Sequence, residues 1–240
     1  MAFAKRFIAL TLFCALCVAC ACASAGGFTM HRDVMEESYQ VDGVVLAELR
    51  AEFPRLDGMS DAEAMHRINA AIRDFIRTNG GFDTACEYAA EDYAHAPEAF
   101  DASNYGVKAN VQAELLRDGT LLAVRYDFWF NANGPHPWDT IATLHFDLAT
   151  GEAVTLETLA SDPQALRAQV VEEVLRWVAE SGFYVFDEAE ETIREWPFSQ
   201  GLMTGEGLLV FFNEGEIAPV SEGAAEILIP YDRLRDLNRE

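Results

Sequence analysis

Lysine is almost absent from this chain, and cysteine is absent from most of it. Of the five cysteines, Cys14, Cys17, Cys20 and Cys22 crowd the N-terminus, and only Cys86 stands in the remainder of the 240 residues. One thiol cannot close an internal disulfide, so the fold must be held by its apolar core; Cys86 itself reads as a small buried residue. Basic residues are few: 17 Lys and Arg stand against 40 Asp and Glu, a formal charge of −23. Such a surface repels nucleic acid and anionic lipid headgroups, and it attracts cationic partners, although net charge alone also serves plain solubility. No apolar run approaches the roughly 20 residues that a membrane-spanning helix needs, so no membrane span is expected. Several chemical signatures are missing too. There is no Gly-x-Gly-x-x-Gly after a strand, no phosphate loop, no Gly-x-Ser-x-Gly elbow, no His-Glu-x-x-His helix and no calcium loop. The five histidines, His31, His66, His95, His136 and His145, include no two at metal-ligand spacing. No metal and no cofactor is expected.

What is present begins with export. Lys5 and Arg6 supply a positive start, Phe7 to Val18 an apolar stretch of signal-peptide length, and Ala23-Ser24-Ala25 a small-x-small cleavage site. Residues 1–25 therefore read as a signal peptide, leaving Gly26 as the new N-terminus and a protein soluble in the periplasm or outside the cell. The alternative is lipidation at Cys20, although Cys17 occupies the position three before it where Leu is usual. Removing Lys5 and Arg6 leaves 15 basic against 40 acidic residues, a charge of −25.

The mature part alternates between two periodicities. His31 to Arg55 is a mixed segment whose Val44-Val45-Leu46 should join a sheet edge. A helix follows, with Ser60 and Glu63 at capping-box spacing and Met65, Ile68, Ile72, Phe75 and Ile76 on one stripe, stopping at Asn79-Gly80-Gly81. Tyr88 to Phe100 has no clear period and reads as a loop or a short helix. From Val107 the period is two: Val107, Ala109, Val111, Ala113 and Leu115 face inward while Lys108, Asn110, Gln112 and Glu114 face water. Asp118-Gly119 suggests a tight hairpin, returning through Leu122, Val124, Tyr126, Phe128 and Phe130. A third strand carries Ala142, Leu144, Phe146 and Leu148 inward, which puts His145 on the wet face. A second helix opens at Ser161-Asp162-Pro163-Gln164, which combines an N-cap at Ser161, a first-turn Pro and a Gln at the capping-box position, with Leu166, Val170, Val174 and Val178 at intervals of four and Ser181-Gly182 at its end. Asp187 to Glu195 is an acidic solvated stretch, and Leu208 to Phe212 and Glu226 to Tyr231 are the last two strands. Strands segregated from helices give an α+β class with antiparallel sheet and two main packing helices. The halves, 26–159 and 160–240, have no Gly/Ser/Pro-rich linker between them, so one compact unit is expected.

One loop stands out. Asn131-Ala132-Asn133-Gly134-Pro135-His136-Pro137-Trp138 sets an imidazole and an indole between stiffening prolines, with Gly134 free to adopt a conformation barred to other residues. Gly134, His136, Pro137 and Trp138 are candidate ligand contacts. The other reading of the loop is a wide strand connection in which Trp138 caps the sheet, and both stay open. Catalysis at His136 needs a nucleophile, a metal or an acidic partner placed by geometry, and no catalytic residue is assigned.

Several spaced blocks carry a resemblance. They are Phe128-Trp129-Phe130 with Gly134-Pro135-His136-Pro137, then Phe146-Asp147-Leu148-Ala149-Thr150-Gly151-Glu152 and Leu156-Glu157-Thr158-Leu159. The C-terminal blocks are Gly207 to Asn213, Glu216-Ile217-Ala218-Pro219, Gly223 and Ile229-Pro230-Tyr231-Asp232-Arg233-Leu234. Together with Pro54 to Ile76, these resemble the RsiV/PdaC-like extracytoplasmic domain pair over nearly the whole mature chain. Glu152 stands where that family has Lys, and Val220 where an aromatic is common. The resemblance implies a role outside the membrane: in RsiV the pair is a sensor that binds lysozyme, and in PdaC it precedes a polysaccharide deacetylase domain. Neither a sigma-binding segment nor a deacetylase metal motif is recognisable in this chain. Two functions are expected from this. The first is a cell-envelope binding module engaging a cationic, lysozyme-like protein or a cell-wall glycan. The alternative is an envelope-associated hydrolase using His136.

Overall fold

The computed structural model describes residues 27–237, so the segment read as a signal peptide, its expected cleavage site and Cys20 lie outside the described residues. The chain opens on a long hairpin, β1 (Thr29–Val41) and β2 (Val44–Asp57), closed by Asp42 and Gly43 with φ of 51° and 81°. That pair of positive φ values is the two-residue turn whose twist matches its flanking strands. The hairpin is larger than the mixed segment expected from sequence. Its alternation is masked because β1 is an edge strand carrying Arg32, Asp33, Glu36 and Glu37, charges that protect an open edge.

Helix α1 (Ala62–Asn79) follows, its Ile68, Ile72 and Ile76 fully buried. Its cap is Asp61 rather than Ser60: the Asp61 carboxylate accepts from the amides of Glu63 and Ala64 at 2.9 Å each. Tyr88 to His95 belongs to a second full helix, α2 (Phe82–His95). Only Ala85 and Ala89 are buried on it, and two small residues make a stripe too faint for large-residue periodicity to show. Cys86 sits half-buried on this helix beside the cluster of Leu46, Ala47 and Tyr105.

With two helices intervening, β3 (Tyr105–Leu116) returns parallel to β2, as a long crossover permits and a hairpin does not. Gly106 makes the join possible: at φ 153° it lies so close to β2 that a Cβ would stand 2.4 Å from the Glu48 carbonyl oxygen. Then β4 (Leu121–Ala132), β5 (Trp138–Asp147) and the short β6 (Ala153–Val154) complete a six-stranded sheet in sequence order by antiparallel pairing. The β3–β4 turn is wider than the two-residue hairpin expected at Asp118-Gly119. Leu116 pairs with Leu121, and a single 3-10 turn over Arg117–Gly119 fills the gap.

After α3 (Leu156–Leu159) comes α4 (Pro163–Ser181), with Pro163 in its first turn and Asp162, not Ser161, as cap. The Ser161 hydroxyl instead donates to the Asp236 carbonyl at 3.2 Å. The acidic stretch contains α5 (Ala189–Arg194), anchored by buried Ala189 and Ile193. A second sheet is built from β7 (Gly201–Met203), β8 (Gly207–Phe212) and β9 (Ala225–Pro230). At three residues, β7 is too short to leave a pattern in sequence.

Two cores flank the large sheet. On one face α1 packs over Leu49, Val107, Val124, Tyr126, Phe128 and Phe146. On the other, at the β4 end only, Leu116, Leu121 and Ala123 join α4, Trp196 and Phe212 in a core that crosses residue 160. This second layer overturns the expectation that His145 is solvated. His145 is 3% exposed, and its Nε2 accepts the Met203 amide at 3.0 Å across the two sheets. Alternation correctly set its face; what it could not tell is that this face is covered.

Candidate functional site

Strand register sorts the sheet's uncovered face into transverse rows. In one, Glu36, Arg50, Lys108, Trp129 and Asp139 stand side by side on β1 to β5. Two residues along, Val34, Glu52, Asn110, Asp127 and Ile141 form the next. Neighbouring strands lie about 4.8 Å apart and rows on one face about 7 Å apart, so these side chains form a continuous and largely polar floor, with Val34 and Ile141 at the two ends of the second row. The C-terminal half raises a wall beside it. Asn213 accepts from the Ile141 amide at 2.6 Å and donates to the Ile141 carbonyl at 3.3 Å, while Glu226 of β9 reaches over to Arg125. Between floor and wall lies a groove of about 660 Å³.

The floor is tied together by guanidinium–carboxylate pairs. Arg32 donates to Glu52 at 2.7 Å and to the side-chain Oδ1 of Asn110 at 2.9 Å. Arg50 bridges Glu36 and Glu52, the latter at 3.2 Å. Arg125 donates to Asp127 at 2.7 Å and to Glu226 at 3.0 Å; Glu226 first, then Asp127, holds its guanidinium above the ordinary arginine value against the pull of burial. Exposed pairs of this kind contribute roughly 0–1 kcal/mol each to stability. Their structural effect is to fix the planar heads. Lys108 differs: its ammonium lies 4.4 Å from the centre of the Trp129 ring, and among the described residues it has no carboxylate within ion-pair distance.

The loop singled out from sequence sits beyond one end of this floor. Gly134, His136, Pro137 and Trp138 are all exposed. His136 Nδ1 lies 2.9 Å from the Pro137 carbonyl oxygen, and its ring stands 5.3 Å from that of Trp138 at 52°. Trp138 pairs with Phe130 and so shares the helix-side face, whereas Trp129 pairs with Asp139 on the groove side. The four loop residues are near one another, but the structure does not bring His136 into contact with the groove carboxylates. The left-handed residue of the loop is Asn133 (φ 57°), not Gly134, where a Cβ would meet nothing nearer than 3.5 Å. Asn133 is held at both ends: its amide donates to the Asn104 carbonyl at 2.9 Å and its side chain to Asp92 at 3.3 Å. Asp92 also accepts from the Tyr105 hydroxyl; burial first, and then this carboxylate, pushes that hydroxyl up to about 12.

The groove residues escaped sequence reading because Lys108, Arg125, Asp127 and Trp129 look like an ordinary solvated face until register is known. One usable signal was there, since Lys108 is the only lysine after Lys5. Among the described residues no group of three His, Cys, Asp or Glu side chains could hold a metal ion, and no helix is long and apolar enough to cross a membrane.

Comparison with known proteins bears on the fold. Residues 164–232 match the family described as "Protein of unknown function (DUF3298)". Two crystal structures from that family are similar in fold. One, from Bacteroides fragilis, has a TM-score of 0.61 at 16% identity and covers 90% of this chain and 96% of its own. The other, from Pseudomonas aeruginosa, has a TM-score of 0.54 at 14% identity, covering 87% and 93%. Over 111 residues the chain is also 27% identical to the immunogenic proteins MPT64 of Mycobacterium tuberculosis and MPB64 of Mycobacterium bovis. That match covers 45% of this chain and 48% of those proteins, so it spans about half the length of these curated relatives.

Proposed function

We propose that the mature chain is an exported binding module of the cell envelope whose ligand, a glycan, seats in the groove over the uncovered sheet face. The observation that carries this is the floor itself, where Arg32, Arg50 and Arg125 are locked to Glu52, Glu36, Asp127 and Glu226 beside the indole of Trp129. Planar groups fixed by their neighbours present donors and acceptors without further ordering cost, which suits a hydroxyl-rich ligand. The part of the Trp129 indole not covered by the Lys108 ammonium adds an apolar surface for the C–H side of a sugar ring. The signal-peptide pattern and the resemblance to the RsiV/PdaC-like pair support an extracytoplasmic location. The test is co-sedimentation of the mature protein with insoluble cell-wall polysaccharide. Retention is expected, with loss in Trp129→Ala and in Arg50→Ala, and none in His136→Ala. Glycan turnover abolished by His136→Ala would instead establish the hydrolase alternative. Cell fractionation with intact mass tests the location: Gly26 as N-terminus is expected, and a diacylglycerol adduct on Cys20 would make the protein a lipoprotein.

A second reading is carried by charge. At −25 after residue 25, with Glu188, Glu190 and Glu191 exposed around α5, the surface favours capture of a cationic protein such as a lysozyme. Steered association slows as the screening length falls from ~10 Å at 0.1 M salt to ~3 Å at 1 M. An equally basic unrelated protein must bind more weakly than lysozyme for this reading to hold.

A further inference from the structure

Lys108 occupies an unusual electrostatic position. It is the only lysine after Lys5 in a strongly acidic chain, and it stands directly beside Arg50 in the parallel β2–β3 register. Two like charges side by side on a sheet cost stability. The arginines of the floor offset their charge: Arg50 bridges Glu36 and Glu52, and Arg32 shares Glu52 at 2.7 Å. Among the described residues Lys108 has no such ion pair, and its ammonium rests 4.4 Å from the centre of the Trp129 ring. At this end of the groove Arg32 and Arg50 are paired with Glu36 and Glu52, while Asp127, Asp139, Glu214 and Glu226 line the remainder, so the cation left outside any ion pair among the described residues is Lys108.

The groove therefore holds one ammonium outside any ion pair among the described residues, resting 4.4 Å from the centre of an indole on the next strand. A hexuronic acid carries its carboxylate one bond off the ring. A ring laid against Trp129 would bring that carboxylate within reach of a cation on the next strand, about 4.8 Å distant. We propose that the groove is a site for an acidic saccharide, with the sugar carboxylate on the Lys108 ammonium and the sugar ring against Trp129. The proposal rests on the glycan-binding reading above and names its ligand class. Arg32 and Arg50, already committed, act as donors to the hydroxyls flanking the ring.

The probes are a galacturonate tetrasaccharide, its methyl ester, the galacturonate monomer and inorganic phosphate, titrated calorimetrically into the mature protein. The acid tetrasaccharide should bind, and the ester should bind at least about tenfold more weakly, because a charge-assisted hydrogen bond is lost. Lys108→Met and Trp129→Ala should each cost a similar factor, while Lys108→Arg should recover most of the affinity. A label needing no variant gives a second readout. The acid tetrasaccharide should slow acetylation of Lys108, followed by mass spectrometry, by at least about fivefold, and its ester should not. Equal binding of acid and ester with Lys108→Met unchanged overturns the acidic-ligand proposal and leaves the glycan module standing. Phosphate competing as well as the saccharide, with Trp129→Ala unchanged, overturns it in favour of a general anion site. Absence of both binding and protection also overturns it, and if cell-wall retention fails as well, the glycan reading falls with it.

Discussion

His145 should make this protein's stability pH-dependent between pH 6.5 and about 4. Its ring is buried between the two sheets and accepts the Met203 amide at 3.0 Å, so the neutral form is required. Burial first, and the Arg117 charge second, push its pKa from 6.5 down to about 4. Above pH 6.5 the ring is neutral in both the folded and unfolded chain, and stability is complete. Between 6.5 and about 4 only the unfolded chain takes up a proton, so stability falls as pH falls, and below about 4 the loss levels off. A difference of about 2.5 units at 1.36 kcal/mol each gives a loss of about 3 kcal/mol. Relief of the chain's strong negative charge works in the opposite sense as the solution is acidified, so the wild type alone would not isolate the effect. His145→Gln does: its side-chain carbonyl can still accept from Met203, but it does not titrate. Urea unfolding of both proteins at pH 7.5, 6.5, 5.5 and 4.5 should show the wild type losing stability relative to the variant by about 2.5 kcal/mol across the series, most of the full loss. A constant difference would refute the buried neutral histidine.

Other consequences follow from the fold. Gly106→Ala places a Cβ against the Glu48 carbonyl at a backbone angle L-residues avoid, and should cost about 2–4 kcal/mol by thermal or urea unfolding. Trp196→Ala empties the centre of the core that crosses residue 160, and should cost about 3–5 kcal/mol in a single transition. Limited proteolysis should correspondingly yield no folded fragment ending near Leu159, because such a fragment would expose Leu116, Leu121, Ala123 and Leu156. Asp92→Ala removes the acceptor shared by Tyr105 and Asn133, and should raise hydrogen exchange in the loop from Asn133 to Trp138 while leaving α1 protected.

The parts of the fold legible in sequence were those whose signal is local. The stripe of Ile68, Ile72 and Ile76, the alternation from Val107 to Leu115 and the four-residue repeat of α4 each reported one element and its buried face. Both helix starts were found, but each cap lay one residue later, at Asp61 and Asp162, because adjacent Ser and Asp residues compete for the same role and only backbone geometry decides between them. Helix α2 stayed open between a loop and a short helix because its buried stripe is alanine, and β1 read only as part of a mixed segment because its edge position leaves both faces half-wet.

The site was harder to read, for a reason visible in two tryptophans. Trp138 belongs to a segment whose glycine and prolines announce a loop, so it drew attention, and the structure leaves it 43% exposed on the helix-side face. Trp129 sits inside a regular strand and announces nothing. Its meaning comes from partners far away in sequence: Lys108 across the β3–β4 register, Arg50 across a parallel pairing made possible by two intervening helices, and Glu226 from the last strand. The same layering explains His145 and Trp129 together. Both lie on one face of the sheet, yet the C-terminal half covers one end of that face and stops short of the other. Where it covers, a histidine becomes a buried acceptor; where it stops, its edge and the exposed rows enclose a groove. Which residues fall on which side of that boundary is set by where the second sheet docks, a tertiary fact that no window of sequence contains.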